Sequence, residues 1–74
     1  MSLLLPQERA GVVQAVRPVE IHGDRYVDLL VELEGEPGPR ALRVGATECP
    51  ADLAAGERVK VRFVMGVATV VQRA

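Results

Sequence analysis

Three basic side chains alternate with apolar ones near the end of the chain, and they are its strongest candidates for chemistry. Arg58, Lys60 and Arg62 are separated by Val59 and Val61. Residues two positions apart on a β-strand project from one face, so this spacing predicts a row of three cations. Such a row can contact successive phosphates of a single-stranded nucleic acid, with affinity that falls as salt rises.

Arg43 and Tyr26 are the other two residues expected to contribute to this surface. Arg43 falls on an outward position of a short strand, and Tyr26 is the one outward aromatic ring on which a base can stack. A second interpretation is that the charges of Arg58, Lys60 and Arg62 only solvate an exposed strand and protect it from edge pairing. The sequence leaves both interpretations open.

The chain contains few residues that could act as a nucleophile or bind a metal ion. A zinc site needs three or four clustered His, Cys or carboxylate ligands, but the chain contains one histidine, His22, and one cysteine, Cys49. His22 lies in a predicted turn, far in the chain from Cys49, so a paired base for the thiol is not expected. Ser2 is the only serine, and no glycine-rich phosphate loop is present. We therefore expect no enzyme activity, no metal site and no cofactor.

Alternating apolar and polar residues predict an all-β fold of five strands. The clearest strands are Tyr26 to Glu34 and Arg58 to Met65, followed by Val67 to Gln72 after a reversal at Gly66. Arg40 to Val44 predicts a short strand. The inward-facing residues expected in these strands are Val27, Leu29, Val31, Leu33, Leu42, Val44, Val59, Val61, Phe63 and Met65.

The first strand, Gly11 to Ile21, is expected to be long and bent. Its apolar residues change parity along the strand, which a bulge or bend at Gly11 or Pro18 would explain. Turns are predicted at His22 to Arg25 and between Gly35 and Pro39. The segment from 45 to 56 is expected to hold one short helix through Ala51–Ala54, with Pro50 in its first turn.

Length and charge limit the possible partners. With 74 residues the chain is expected to form a single domain, 1–74, in which residues 1–8 form an N-terminal arm. So small a domain has no disulfide to stabilise it, and Leu3 to Leu5 and Leu30 are apolar at exposed positions, so a homo-oligomer is expected. The net charge of −1 gives no overall attraction to nucleic acid. No membrane span or export signal is apparent, and a cytoplasmic location is expected.

Two resemblances follow from this order of elements. Gly11-Val12-Val13, the alternation from Val27 to Leu33 and the lead-in Asp52 to Val59 resemble the oligonucleotide/oligosaccharide-binding (OB) fold, a five-stranded barrel with a short helix between strands three and four. That resemblance implies a non-catalytic module that binds single-stranded nucleic acid or a protein. Leu53 to Val61 and the valine-rich last strand are similar to molbindin-type domains, which implies a self-assembling barrel with a small anion at subunit interfaces. The opening characteristic of that family is missing, so no ligand residue is transferred.

Overall fold

A computed structural model describes residues 5–74, which form five antiparallel strands and one short 3₁₀ helix. Strand β1 pairs with β2 on one side and, through its first half, with β4 on the other. The hydrogen-bonded order across the sheet is β3-β2-β1-β4-β5. The strands are β1 (Gln7–Ile21), β2 (Asp24–Leu33), β3 (Arg40–Gly45), β4 (Arg58–Val64) and β5 (Val67–Arg73).

The two end strands of this sheet approach each other across the molecule. Because each pairing is antiparallel, β3 and β5 both run in the direction of β1, and their backbones come close without forming a ladder. The sheet is therefore curved into a barrel-like shape that is not closed. The predicted all-β class with five strands is confirmed.

Twelve inward side chains form one apolar core between the curved halves of the sheet. Val31, Val59 and Val61 are completely buried, and no buried residue in the described part of the chain is polar or charged. The phase assigned to β2, β3 and β4 from sequence is confirmed, although Val27 is only half-buried at the edge of the core. The core residues are Val13, Leu29, Val31, Leu33, Leu42, Val44, Cys49, Leu53, Val59, Val61, Phe63 and Val71.

Met65 was predicted inward, and this prediction is wrong. It is 64% exposed because the chain already reverses at Met65 and Gly66, whose φ angles are 52° and 79°. Two successive positive φ values suit the tight hairpin between β4 and β5. The turn therefore ends the alternation one residue earlier than the sequence pattern indicates.

The expected irregularity of β1 is present, but at another position. The register with β2 shifts between Val13 and Ala15, so Val13 faces the core before the bulge and Val16 faces it afterwards. Gly11 has a different role, since a Cβ there would lie 2.7 Å from the Glu32 carbonyl oxygen. Pro18 lies where β1 pairs with β2 alone, and a residue without an N–H is tolerated at such an edge.

The short helix between β3 and β4 occurs earlier than predicted. It is a single 3₁₀ turn over Ala46–Glu48, and Cys49 after it is extended with φ −142° and ψ 142°. A residue before proline avoids the helical region, so Pro50 ends this turn rather than starting a helix. In the predicted helix, Ala51 and Asp52 form a turn, and Leu53 and Ala54 have no regular structure.

The N-terminal arm was expected to cover residues 1–8. Leu3 and Leu4 lie outside the described residues, whereas Gln7 and Glu8 belong to β1, four residues before the predicted start of that strand. Among the described residues no helix has the length and apolar character needed to cross a membrane.

Candidate functional site

Arg58, Lys60 and Arg62, here called the basic row, lie together on the outer face of β4. All three side chains are exposed, and the residues between them are buried, so the predicted alternation places the cations as expected. Neighbouring members are separated by about 6.8 Å, twice the rise per residue of an antiparallel strand. Strand β4 is paired with β1 and β5 on its two sides. Protection of an unpaired edge therefore cannot explain the basic row.

The basic row differs from the other cations of the chain because its side chains are unpaired. Within residues 5–74, no salt bridge or side-chain hydrogen bond involves the three cationic groups, and Arg25 is the only other lysine or arginine in that state. The ion-paired residues are Arg9, Arg17, Arg40, Arg43 and Arg73.

Glu57 directly precedes the basic row, but its carboxylate is already engaged. Arg73 Nε donates to Glu57 Oε1 at 2.7 Å, and the Ala54 N–H donates to Glu57 Oε2 at 2.6 Å. The second nitrogen of the Arg73 guanidinium donates to Asp52 Oδ1 at 2.8 Å. The hydrogen bonds from Arg73 hold the pKa of both carboxyl groups below their usual values. The nearest acid in sequence thus leaves Arg58 free.

Strands β1 and β5 supply the surroundings of the basic row. Glu8 is directly opposite Arg62 on β1, whereas Val70 and Gln72 are opposite Arg62 and Lys60 on β5. These five side chains line a shallow pocket of about 120 Å³ on the outer face. The pocket therefore combines two free cations, one amide and one carboxylate.

Arg43 lies on the outer face as predicted but does not join the basic row. Its Nε and Nη2 atoms donate to the two carboxylate oxygens of Asp28 at 2.6 and 2.9 Å. The hydrogen bond from Arg43 holds the pKa of Asp28 below its usual value, and Arg17 adds a contact of 3.9 Å. Three strand spacings separate β3 from β4 in the sheet, roughly 14 Å. The charge of Arg43 is thus balanced by Asp28, and Arg43 lies far from the basic row.

Tyr26 is also outward but near the other end of the barrel. It is half-buried opposite Val19 of β1, seven positions beyond Val12, the residue opposite Arg58. Seven residues of strand span roughly 23 Å. Tyr26 lines a separate surface concavity of about 460 Å³ together with Pro50. Tyr26 is opposite Gly45 of β3, two positions from Arg43, so these two residues are neighbours. The five residues predicted to form one surface therefore fall into two places.

The remaining candidates for chemistry are isolated in the described part of the molecule. Cys49 is buried in the core, and this burial raises the pKa of its thiol, which disfavours the nucleophilic thiolate. His22 is exposed in the turn between β1 and β2. Among residues 5–74, no three His, Cys, Asp or Glu side chains are grouped as a metal ion would require.

Sequence reasoning missed Glu8, Val70 and Gln72 as neighbours of the basic row. Their proximity depends on the registers of β1 and β5 against β4, which pair residues far apart in the chain. No short sequence pattern specifies which residues of two distant segments stand opposite each other. No protein-family model matches the chain, and neither a curated protein nor a solved structure matches it.

Proposed function

We propose that this chain is a non-catalytic binding module whose basic row binds the phosphate backbone of a single-stranded nucleic acid. One observation carries the proposal: three neighbouring cations on one face are unpaired, while five arginines elsewhere in residues 5–74 are engaged in ion pairs. Unpaired cations need not break an existing ion pair before they contact a phosphate. They are therefore the cations most readily available to bind an anionic ligand.

We assign the barrel to the OB type as part of this proposal. Support comes from the central position of β1, shared by β2 and β4, and from the parallel approach of β3 and β5. OB domains ordinarily bind through the face of their second and third strands. On that face Asp28 and Arg43 neutralise each other, so the proposal places the ligand on β4 instead. A cytoplasmic location belongs to the same proposal.

Binding through the basic row is expected to tolerate many sequences. None of the outer positions beside it carries an aromatic ring on which a base could stack. They are Glu8, Ala10 and Val12 on β1, and Val70 and Gln72 on β5. Stacking on aromatic side chains is a main source of affinity in single-strand binders. The remaining attraction is electrostatic, so affinity should be weak and should fall steeply with salt.

The test is removal of the three charges together. In Arg58→Gln/Lys60→Gln/Arg62→Gln, side-chain length and polarity are largely kept, so the exposed face stays soluble. Each lost phosphate contact should reduce the slope of log affinity against log salt by about 0.7, so the triple variant should lose a slope of about 2. Fluorescence anisotropy of a labelled single-stranded oligonucleotide, measured over several salt concentrations, gives both slopes.

Arg25→Gln is the matched control, because Arg25 is unpaired and exposed but lies in the β1–β2 hairpin region away from the basic row. Its slope should equal that of the parent protein. The proposal fails if the parent gives no anisotropy change at low salt. It also fails if the triple variant keeps the parent's slope.

A second candidate function is self-assembly through an apolar end of the barrel. Leu5, Met65 and Val67 are 62%, 64% and 63% exposed, and they lie where the start of β1 meets the β4–β5 turn. We call these three residues the apolar end. Exposed apolar side chains grouped in this way are typical of contact surfaces. In this alternative, the pocket beside Lys60 and Arg62 would hold a small anion.

A further inference from the structure

Glu8 is the one acidic residue that faces the basic row without a partner. It is exposed on the outer face of β1 directly opposite Arg62, yet no ion pair or hydrogen bond of its carboxylate exists among the described residues. A carboxylate beside a phosphate-binding surface lowers affinity for phosphate, because like charges repel. A phosphate-containing ligand of this pocket therefore needs a second group that donates a hydrogen bond to Glu8.

The pocket contains both donors and an acceptor. Lys60, Arg62 and the amide of Gln72 can donate to phosphate oxygens, whereas the ionised carboxylate of Glu8 can only accept. Val70 closes one side and offers no polar group. A ligand that satisfies every polar group of the pocket has an anionic group and, close to it, a hydrogen-bond donor for Glu8.

Ribonucleotides have this combination in every residue of the chain. The ribose 2′-hydroxyl is close to the 3′-phosphate and can donate a hydrogen bond, whereas DNA has no donor at that position. Bases also carry donors, but these differ from base to base, and no aromatic ring beside the basic row holds a base in a fixed position. The sugar hydroxyl is the donor that a sequence-tolerant surface can use repeatedly.

We propose that Glu8 accepts a hydrogen bond from a ribose 2′-hydroxyl and so makes the basic row selective for single-stranded RNA over single-stranded DNA. This inference rests on the proposed function, since Glu8 would distinguish RNA from DNA only if the basic row binds single-stranded nucleic acids. With RNA, the hydrogen bond offsets the repulsion between carboxylate and phosphate. With DNA, the repulsion remains without compensation.

The test compares three single strands of one base sequence: RNA, DNA and 2′-O-methyl RNA. The methylated strand keeps the 2′-oxygen but has lost the hydroxyl proton that Glu8 requires. The parent protein should bind RNA about fivefold more tightly than either other strand, a ratio within the range of one ordinary net hydrogen bond. Anisotropy titrations at a single low salt concentration measure all three affinities.

Variants of Glu8 then show whether this residue causes the preference. Glu8→Ala should bind DNA more tightly than the parent does, and its RNA-to-DNA affinity ratio should fall close to one. Glu8→Gln keeps an acceptor oxygen without the charge, so it should retain part of the preference for RNA. Glu20→Ala is the control, because Glu20 is an exposed acid of β1 at the end farthest from the basic row. It should leave the ratio unchanged.

The outcomes separate this inference from the function on which it rests. If the parent binds none of the three strands, the proposed function is wrong and the role of Glu8 falls with it. If it binds all three equally, the basic row binds single strands but the inference is wrong. A preference for RNA that survives in Glu8→Ala would overturn the assignment to Glu8 alone.

Discussion

Leu29 and Leu30 are adjacent, identical in type and opposite in environment. Leu29 is 3% exposed in the core, whereas Leu30 lies half-buried on the outer face between Ala15 and Ala41. Replacement of a buried leucine by alanine removes apolar contacts and leaves a cavity, so Leu29→Ala should lower the free energy of unfolding by about 2 to 5 kcal/mol. Urea denaturation followed by circular dichroism measures the change.

Leu30→Ala is the matched control for Leu29→Ala. The same atoms are removed from a site open to solvent on one side, so the loss of stability should be less than half as large. Equal losses in both variants would show that the strand phase of β2 is not the one described. The pair therefore tests the inward and outward assignment rather than the general importance of leucine.

At the residue scale, the inward and outward positions of the regular strands could be predicted, because alternation is a local property. Leu29, Val31 and Phe63 follow it directly. Met65 does not, because the tight turn with positive φ values begins where the pattern still indicates strand. Glu8 could not be recognised as a neighbour of Arg62, since that contact depends on register between segments more than fifty positions apart.

At the scale of elements, Arg73 joins the end of β5 to the segment that leads into β4. Its guanidinium donates to Glu57 and Asp52, and Glu57 in turn accepts from the Ala54 N–H. Val13 N–H also donates to the Glu57 carbonyl oxygen, and Gly56 N–H donates back to Val13. The irregular segment before β4 is thus held to both β1 and β5.

This connection predicts a pH-dependent contribution to stability. The hydrogen bonds from Arg73 lower the pKa of Glu57 and Asp52 in the folded protein, so folding favours the ionised carboxylates. The stabilisation is therefore present above the unfolded-state pKa values, about 4 for both acids. It should disappear as pH falls through the lower folded-state values. Arg73→Gln should be less stable than the parent near neutral pH.

Urea denaturation of the parent and Arg73→Gln across the acid range measures this difference. The gap in midpoint between the two proteins should narrow as pH falls below about 4, because the carboxylates then become protonated in both. Arg25→Gln serves as control, since Arg25 has no ion pair among residues 5–74 and no such gap should appear. A gap of constant size at all pH values would contradict the assigned role of Arg73.

Strands with a regular alternation of apolar and polar residues were predicted well. Segments whose conformation depends on a proline or a bulge were not. The pattern from Tyr26 to Glu34 gave β2 with only small errors at its ends. The sequence predicts the short helix too late in the chain, because proline is common in the first turn of a helix. Here Pro50 instead prevents Cys49 from being helical, and the 3₁₀ turn ends at Glu48. The β1 bulge was indicated by the parity change, but its position was not.

At the scale of the whole molecule, the distribution of ion pairs matters more than net charge. The net charge is −1, which gives no overall attraction to a polyanion. The charges of Asp28, Glu36, Asp52 and Glu57 are balanced locally, because each is paired with an arginine that does not belong to the basic row. Their pairing leaves an outer face of β4 that is positive in an acidic protein.

Assembly of several molecules through the apolar end is the remaining prediction at this scale. Met65 is suited to a sharp test, because its φ of 52° precedes Gly66 in a turn where asparagine followed by glycine is favoured. Met65→Asn should therefore keep or raise the stability of the hairpin while it removes an apolar side chain that is 64% exposed. We expect weaker self-association with no loss of folding stability.

Size-exclusion chromatography with light scattering, over a range of protein concentrations, measures the association. Thermal denaturation at one low concentration measures folding separately. Thr69→Ala is a suitable control, because Thr69 lies on β5 outside the apolar end and its hydroxyl donates to the Arg62 carbonyl oxygen within the hairpin. That variant should affect folding more than association, the reverse of Met65→Asn. If the parent is monomeric at the highest concentration, or if Met65→Asn associates as strongly as the parent, the apolar end is not the contact surface.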